Sequence, residues 1–255
     1  MPNHISNKLL VTADSHEELE KFLLSIKGDE IVDDEEQLID FNRIIPMPLP
    51  LRTTQSSSMV DDAIYYHLVK SGQEELASVI LRCPQCYNME RYSNKTEQEL
   101  AEMYKIGEKY VGYFNEFGAK DWYDWSIKNW GTKWNAYSFH LEVKDEYSVE
   151  LSFQTAWAGV PDIISKLTEM FPTFTFEYEY ADEDMGYNCG SGYGEDGEFS
   201  FQMLQGGSED AIQTFARCWG YDEDCFYFKD GCWHNREWDD EDYDEDDEDY
   251  DEDDE

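Results

Sequence analysis

Residues 148–180 read SVELSFQTAWAGVPDIISKLTEMFPTFTFEYEY, and they predict a strand, a helix and a second strand in succession. At both ends of this stretch apolar side chains alternate with polar ones, which is the period of a strand that buries one face. Pro161 suits the first turn of the helix between them. The apolar positions that follow share one helical face: Ile164, Leu167 and Met170. The stretch therefore predicts a half-buried sheet with a helix packed against it.

The chain begins with a second pattern of sheet and helix. Residues 5–13 form a short β-like run, ISNKLLVTA. Ser15 with Glu18 makes a capping box, which opens a helix that Gly28 ends. The apolar positions of that helix share one face: Leu19, Phe22, Leu23 and Ile26. Residues 38–45, LIDFNRII, predict a second strand closed by prolines, so the opening is predicted to be β-α-β.

The middle of the chain has a helical pattern instead. A polar linker at residues 53–58 precedes helical stretches near 59–71, 73–82 and 96–117. Thr96 with Glu99 makes another capping box, and an aromatic helix or turn follows at 121–128. Later segments of the chain predict strands and one more helix: strands at 136–143, 148–155, 174–180 and 198–204, and a helix at 208–219.

Together these elements predict an α+β fold, a ferredoxin-like antiparallel sheet with helices on one face. The predicted domain comprises residues 1–52 and 130–235, and a helical insertion at 53–129 interrupts it. Residues 236–255 are predicted to be a disordered acidic tail, because fifteen of the last seventeen residues are Asp or Glu. That tail ends in one heptapeptide, DYDEDDE, written twice.

The body is also strongly acidic. The chain has a net charge of −40, and without the fifteen tail carboxylates the net charge is still −25, from 44 acidic and 19 basic residues. Such a field repels nucleic acid and anionic membranes, and it attracts basic surfaces. We therefore expect a basic protein partner, no direct binding of nucleic acid and no membrane contact.

The cellular compartment and the state of the cysteines are inferred from hydrophobic runs, the N-terminal sequence and cysteine spacing. No apolar run approaches the 18 residues of a membrane span, and the N-terminus lacks a secretory pattern. We therefore expect a cytoplasmic protein of a bacterial cell with six free thiols. Cys83 and Cys86 have the spacing of half a zinc site or of a redox dithiol, but the chain has no second CxxC. Zinc at this pair is an open alternative, and no cofactor is expected.

The other motifs do not predict an active site. Residues 192–197 match GxGxxG, but a predicted strand follows in place of a helix, so a flexible hairpin loop is expected. The acidic segments near 182 and 222 lack the glycine of a calcium loop, which leaves weak nonspecific cation binding. The five histidines form no HExxH pair, and no nucleophile elbow is present. The chain is expected not to be an enzyme.

Five local strings are distinctive together: MPNHISNKL (1–9), FNRIIPMP (41–48), NWGTKWNA (129–136), TAW (155–157) and EYADED (179–184). They resemble the YubB-like family of phage and plasmid proteins. The resemblance implies a ferredoxin-like fold and a mobile-element origin, and it implies no activity. In NWGTKWNA, Gly131 suits a turn, while Asn129 and Asn135 suit side chains that satisfy backbone groups. This motif is therefore expected to be architectural.

The leading hypothesis is a phage- or plasmid-encoded inhibitor that mimics nucleic acid. It would occupy the basic cleft of a host defence protein, such as a CRISPR effector or a restriction enzyme. The expected partner-binding residues are clusters in predicted loops and in the tail: Asp33, Asp34, Glu35, Glu36, Asp182, Glu183, Asp184, Asp239, Asp240, Glu241 and Asp242. The alternative is an accessory protein of plasmid maintenance that is stabilised by a metal and has a tail for solubility alone.

Overall fold

The computed structural model describes residues 3–29, 31–32 and 35–236. The chain divides into two compact units: residues 1–40 with 135–255, and residues 41–134. The boundaries predicted for the helical insertion, 53 and 129, both fall inside the second unit. The insertion boundaries stay a prediction from the sequence pattern.

The described strands all belong to the first unit, which also contains three of the described helices, while the second unit is helical. The strands are β1 (His4–Thr12), β2 (Ile31–Val32), β3 (Glu35–Glu36), β4 (Tyr137–Val143), β5 (Ser148–Ala156), β6 (Thr175–Asp182), β7 (Gly190–Glu195), β8 (Glu198–Met203), β9 (Phe226–Lys229) and β10 (Cys232–Asn235). The helices are α1 (His16–Ile26), α2 (Phe41–Ile44), α3 (Leu49–Arg52), α4 (Ser58–Lys70), α5 (Ala77–Ile80), α6 (Glu97–Phe117), α7 (Trp122–Trp130), α8 (Pro161–Met170) and α9 (Glu209–Trp219).

Six of the described strands form one antiparallel sheet in the order β4-β5-β1-β6-β7-β8. The central register places Leu9 opposite both Leu151 and Tyr178. All three side chains are buried, because alternate residues of neighbouring strands face the same side. The α+β fold with an antiparallel sheet is confirmed.

Helices α1 and α8 cover the inner face of this sheet. The Phe22 ring of α1 lies 5.9 Å from the Phe176 ring of β6. Ser15 caps α1 by accepting a hydrogen bond from the backbone of Glu18, as the sequence predicts. In α8 the predicted apolar face is buried at Leu167, but Met170 is 41% exposed, so its assignment to the core is wrong. Met170 is the last residue of the helix.

Helix α9 lies on the opposite, outer face, in addition to the helices expected on one face. A second hydrophobic cluster lies between α9 and the end of β6. Ala181 and Phe215 are buried in it. Ser6 of β1 donates a hydrogen bond to the carbonyl oxygen of Cys218 at 2.6 Å. Elsewhere on the outer face, Glu177, Tyr193 and Glu195 are exposed.

The predicted strand at residues 38–45 is wrong. Residues 41–44 form the short helix α2, which buries Phe41 and Ile44. These two apolar residues lie three positions apart, so one turn of helix places both on the same side. The β-α-β opening is therefore replaced by β-α followed by the helices of the second unit.

The sequence pattern also missed strand β7. Its glycines face the inner side, where a Cβ on Gly194 would lie 2.5 Å from the Thr168 hydroxyl of α8. Since glycine has no side chain to alternate, hydrophobic periodicity could not reveal the strand. The hairpin expected at 192–197 is present, but only its tip, Asp196 and Gly197, is a turn, with φ of 52° and 81°.

In the second unit, α4 and α6 pack around one apolar core. Ile64, Leu68 and Tyr110 are among its buried members. The Thr96 and Glu99 capping box at the start of α6 is confirmed, with Thr96 N donating to the Glu99 carboxylate at 2.7 Å. Cys83 and Cys86 form a disulfide, so the expectation of free thiols is wrong for this pair. A 3-10 turn between them brings their Cα atoms to 5.5 Å.

The NWGTKWNA string has the architectural features that the sequence indicated. Gly131 ends α7 with a φ of 77°. Asn129 donates to the Trp125 carbonyl at 2.8 Å, and the Asn135 amide oxygen accepts from Ala136 N at 3.0 Å. Both asparagines satisfy backbone groups, as expected.

Candidate functional site

The outer face of the six-stranded sheet carries a set of glutamates. The register places Glu142 of β4 opposite Glu150 of β5, and Glu150 opposite Leu10 of β1. Leu10 is opposite Glu177 of β6, and Glu177 is opposite Tyr193 of β7. These residues form one row across the sheet, because directly paired residues share a face.

Two parallel rows complete this acidic sheet face. One row runs from His140 through Ser152 and Lys8 to Glu179, and continues to Ser191. The other row contains Glu195 of β7 directly opposite Glu198 of β8, next to the turn of the β7–β8 hairpin. We define the acidic sheet face by its six glutamates: Glu142, Glu150, Glu177, Glu179, Glu195 and Glu198.

Basic side chains neutralise one side of this face. Lys8 and Lys144 each lie 3.5 Å from the Glu150 carboxylate. Arg217 of α9 binds Glu179 through two hydrogen bonds, at 2.6 and 3.0 Å. The hydrogen bonds to Glu179 raise the pKa of Arg217 above its ordinary range, so it stays charged.

On the other side of the face, the carboxylates are exposed to solvent. Glu177, Glu195 and Glu198 are exposed, and Tyr193 is 45% exposed between them. The Tyr193 hydroxyl donates to Glu195 at 3.4 Å. Burial, together with Glu195, raises the pKa of Tyr193, so the phenol keeps its proton. A cation that approaches here meets carboxylates and an aromatic ring.

A groove of about 910 Å³ lies over this face, beside the end of α9. Its walls include Lys8, Glu177, Tyr193, Gln202 and Arg217. Sheets that bind RNA combine stacking aromatic side chains with positive charge around the bound strand. Here the glutamates outnumber the bases, so the groove suits ammonium or guanidinium groups in place of phosphates.

The predicted cluster at residues 182–184 has two different roles. Asp182 is buried, and its carboxylate accepts from Asn3 Nδ2 at 3.0 Å, Asn188 Nδ2 at 2.8 Å and Asp184 N at 3.1 Å. It therefore organises the end of the sheet, and its carboxylate is not available to a partner. Glu183 and Asp184 are exposed. They remain candidates for contact with a basic surface.

Three of the five local strings singled out in the sequence, at 1–9, 155–157 and 179–184, meet at this end of the sheet. His4 Nδ1 lies 2.8 Å from the Tyr137 hydroxyl, which donates to the Thr155 carbonyl at 3.2 Å. Trp157 N donates to Asn3 O at 3.0 Å. Trp157 has a φ of 72°, which is unusual for a bulky residue. These contacts fix the strand ends, so the strings are architectural here.

The remaining predicted residues are partly described. Glu36 pairs with Lys27 at 2.8 Å, and this hydrogen bond lowers the pKa of Glu36. Glu35 accepts a hydrogen bond from Phe139 N at 3.2 Å. Both are exposed but already bound within the unit. Six of the predicted residues lie outside the described residues: Asp33, Asp34, Asp239, Asp240, Glu241 and Asp242.

Sequence reasoning missed the acidic sheet face, although a signal was present. In residues 174–180, FTFEYEY, the polar positions of the alternation are Thr175, Glu177 and Glu179. Alternation predicts that they share the solvent face. What the sequence could not provide is the register that brings glutamates of β4, β5 and β8 alongside them.

Within residues 3–29, 31–32 and 35–236, no cluster of three or more His, Cys, Asp or Glu side chains is arranged to hold a metal ion. The described helices include none with the length and apolarity to cross a bilayer. Cys232 lies 3.2 Å from His234 Nε2 on the β9–β10 hairpin, and the His234 ring stacks on the Tyr227 ring at 5.2 Å.

A family match supports the ferredoxin-like part of the fold. Residues 129–255, just under half of the chain, match the family described as a ferredoxin-like domain in Api92-like protein. A crystal structure of a protein api92 from Yersinia pseudotuberculosis also matches, with 11% identity and a TM-score of 0.38, over 80% of this chain and 99% of that chain. No curated protein sequence matches. The family match thus indicates a ferredoxin-like domain within residues 129–255.

Proposed function

We propose, on the premise that residues 129–255 form a ferredoxin-like domain of the Api92-like kind, that this chain is a non-enzymatic inhibitor which mimics nucleic acid. It is carried by a phage or plasmid and acts in the bacterial cytoplasm. It occupies the basic nucleic-acid-binding surface of a host defence protein, of the CRISPR-effector or restriction-enzyme type. The resemblance of five local strings to the YubB-like family supports the mobile-element origin.

The acidic sheet face is the observation that carries this proposal. Its glutamates sit on hydrogen-bonded strands, which hold carboxylates at fixed separations as a duplex holds phosphates. Neighbouring strands lie about 4.8 Å apart, so the sheet holds the glutamates of different strands at set distances from one another. A flexible acidic segment offers the same charge without fixed positions, and specificity requires fixed positions.

The distribution of charge supports one role for the acidic tail and another for the body. Fifteen carboxylates in the last seventeen residues extend the negative field beyond the body. Long-range attraction raises the rate of association, whereas close charge pairs hold the complex together. The tail therefore steers the encounter, while the sheet face, Glu183 and Asp184 make the contacts.

Capture from a bacterial lysate tests the proposal. The wild-type protein is compared with a variant of the sheet face, Glu177→Lys, Glu195→Lys and Glu198→Lys. A control variant carries Glu102→Lys, Glu108→Lys and Glu116→Lys, on exposed positions of α6. Both variants have the same net charge, so only the position of the change differs. Captured proteins are identified by mass spectrometry.

We expect the wild-type protein and the α6 control to capture the same nucleic-acid-binding protein. The sheet-face variant is expected to retain at least about tenfold less of it, since several close charge pairs become repulsive. Equal retention by both variants would mean that net charge alone drives binding. Capture of proteins without any nucleic-acid-binding activity would favour the plasmid-maintenance alternative.

A further inference from the structure

Strand β4 is an edge strand of the six-stranded sheet. At its hairpin with β5, Lys144 N donates to Ser148 O at 3.1 Å. In an antiparallel pair the residues alternate between hydrogen-bonded and non-hydrogen-bonded partners. Glu142 therefore directs its backbone groups toward β5, and Leu141 and Val143 direct theirs outward. The outward hydrogen bond from Phe139 N to Glu35 agrees with this phase.

An apolar groove of about 540 Å³ adjoins this edge on the inner side of the sheet. It lies between α1 and the β4–β5 hairpin, where Leu19 and Val149 are buried. Leu23 and Leu141 are half-buried, and Val143 is 69% exposed. The edge thus combines outward backbone groups with an exposed apolar strip, which is the combination that an added strand requires.

Acidic side chains surround this edge. Glu20, Asp145 and Glu146 line the rim of the groove. On the outer face of the same strand, Glu142 has a side chain that is 53% exposed and that pairs with Lys144 at 2.8 Å. A strand added to β4 would alternate its own side chains between the apolar groove and the acidic outer face.

We propose that β4 binds an extended segment of a partner protein in which apolar residues alternate with lysine or arginine. The apolar side chains enter the groove beside Leu141 and Val143, and the basic side chains lie beside Glu142. Hydrogen bonds to the outward backbone groups of β4 hold the segment. This inference does not depend on whether the partner binds nucleic acid.

A second copy of this chain is a poorer occupant. Pairing of β4 with β4 of another copy would bring the carboxylates of Glu142, Asp145 and Glu146 toward those of the other copy. Like charges directly opposite across strands are destabilising. A net charge of −40 adds to this repulsion. Charge complementarity therefore selects a basic partner.

Synthetic dodecapeptides test the proposal on the full-length protein. The first peptide alternates lysine and valine, the second has the same composition in the order Lys-Lys-Val-Val, and the third alternates glutamate and valine. Fluorescence anisotropy measures each dissociation constant, and amide NMR signals report on Leu141 and Val143. The protein variants are Val143→Lys and the control Val79→Lys, whose wild-type side chain is 62% exposed in the second unit.

We expect the alternating lysine peptide to bind at least about tenfold more tightly than either other peptide. It should shift the amide signals of Leu141 and Val143, and Val143→Lys should remove this binding while Val79→Lys retains it. Equal binding of both lysine peptides would overturn the proposal, because charge alone would then suffice. A concentration-dependent dimer that Val143→Lys dissociates would also overturn it and would assign the edge to a second copy.

Discussion

At the residue scale, the buried carboxylate of Asp182 holds the end of the sheet together. It accepts hydrogen bonds from two asparagine side chains and one backbone N–H. Asp182→Ala removes the buried charged acceptor that these three partly buried donors share, which costs about 1.5–3 kcal/mol of unfolding free energy. Urea-induced unfolding followed by circular dichroism measures this loss.

The neighbouring Glu183 provides the matched control. It is exposed, so Glu183→Ala should change the unfolding free energy by less than about 0.5 kcal/mol. An Asp182→Ala protein as stable as the wild type would show that the carboxylate does not organise the sheet end. The role first expected for Asp182, direct contact with a partner, would then return.

At the scale of elements, two glycines of α6 distinguish the effect of close helix packing on stability from the effect of helix propensity. A Cβ on Gly107 would lie 2.1 Å from the Ala63 carbonyl oxygen of α4, whereas a Cβ on Gly112 meets nothing within 4 Å. Gly107→Ala should therefore destabilise the protein by about 1–3 kcal/mol through overpacking. Gly112→Ala should stabilise it by about 0.5–1 kcal/mol, because alanine favours the helix.

Thermal and urea unfolding of both glycine variants check this pair. We expect Gly107→Ala to lower the free energy of unfolding and Gly112→Ala to raise it. Stabilisation by Gly107→Ala would show that α4 and α6 do not approach as closely as described.

A buried lysine connects the helices of the second unit. Lys120 lies 2.5 Å from the Asp124 carboxylate, 3.5 Å from Asp121 and 3.7 Å from Asp61. Burial lowers the pKa of Lys120, but its hydrogen bond to Asp124 and the three carboxylates together raise it above 10.5. The stabilisation from this lysine is therefore complete below pH 10.5 and is lost as the pH rises through the folded-state value.

Lys120→Met should cost about 3–5 kcal/mol at pH 7, because the aspartates become buried without their cation. Burial also raises the pKa of Asp61 above 3.8, so its favourable contribution is present at acid pH and is lost as the pH rises. The cost of Lys120→Met should consequently shrink toward pH 4. Urea unfolding at both pH values measures this, with exposed Lys105→Met as the control. A cost that does not depend on pH would contradict the electrostatic account.

Some elements were predictable from sequence because a single local rule governs them. The alternation in FTFEYEY and the capping box at Thr96 each predict one element, and both are present. Strand β7 was not predictable, since its inward residues are glycines that fit beneath Phe199, Phe201 and Thr168. Residues 38–45 were assigned a strand because an apolar run this short does not distinguish a strand from one helical turn.

At the scale of the whole molecule, the tail carries a much denser negative charge than the body. Removal of residues 239–255 takes away fifteen carboxylates and lowers self-repulsion. We expect the melting temperature of the truncated protein to stay unchanged or to rise slightly, as differential scanning calorimetry would measure. A large fall would show that the tail packs against the fold.

The candidate site was only partly predictable at this scale. Composition predicts a basic partner, but it does not indicate which carboxylates hold fixed positions. Loop acids were chosen from the sequence, whereas the fixed glutamates lie on paired strands far apart in the chain, such as Glu142 and Glu177. Only the register of the sheet brings them together.

The most direct test of the central claim is competition between this protein and nucleic acid. The captured partner is purified and loaded with fluorescent DNA or RNA, and this protein is added at low and at high salt. We predict that it displaces the nucleic acid, that displacement weakens steeply with salt, and that the sheet-face variant displaces at least about tenfold less. Simultaneous binding of this protein and nucleic acid to the partner would contradict the account.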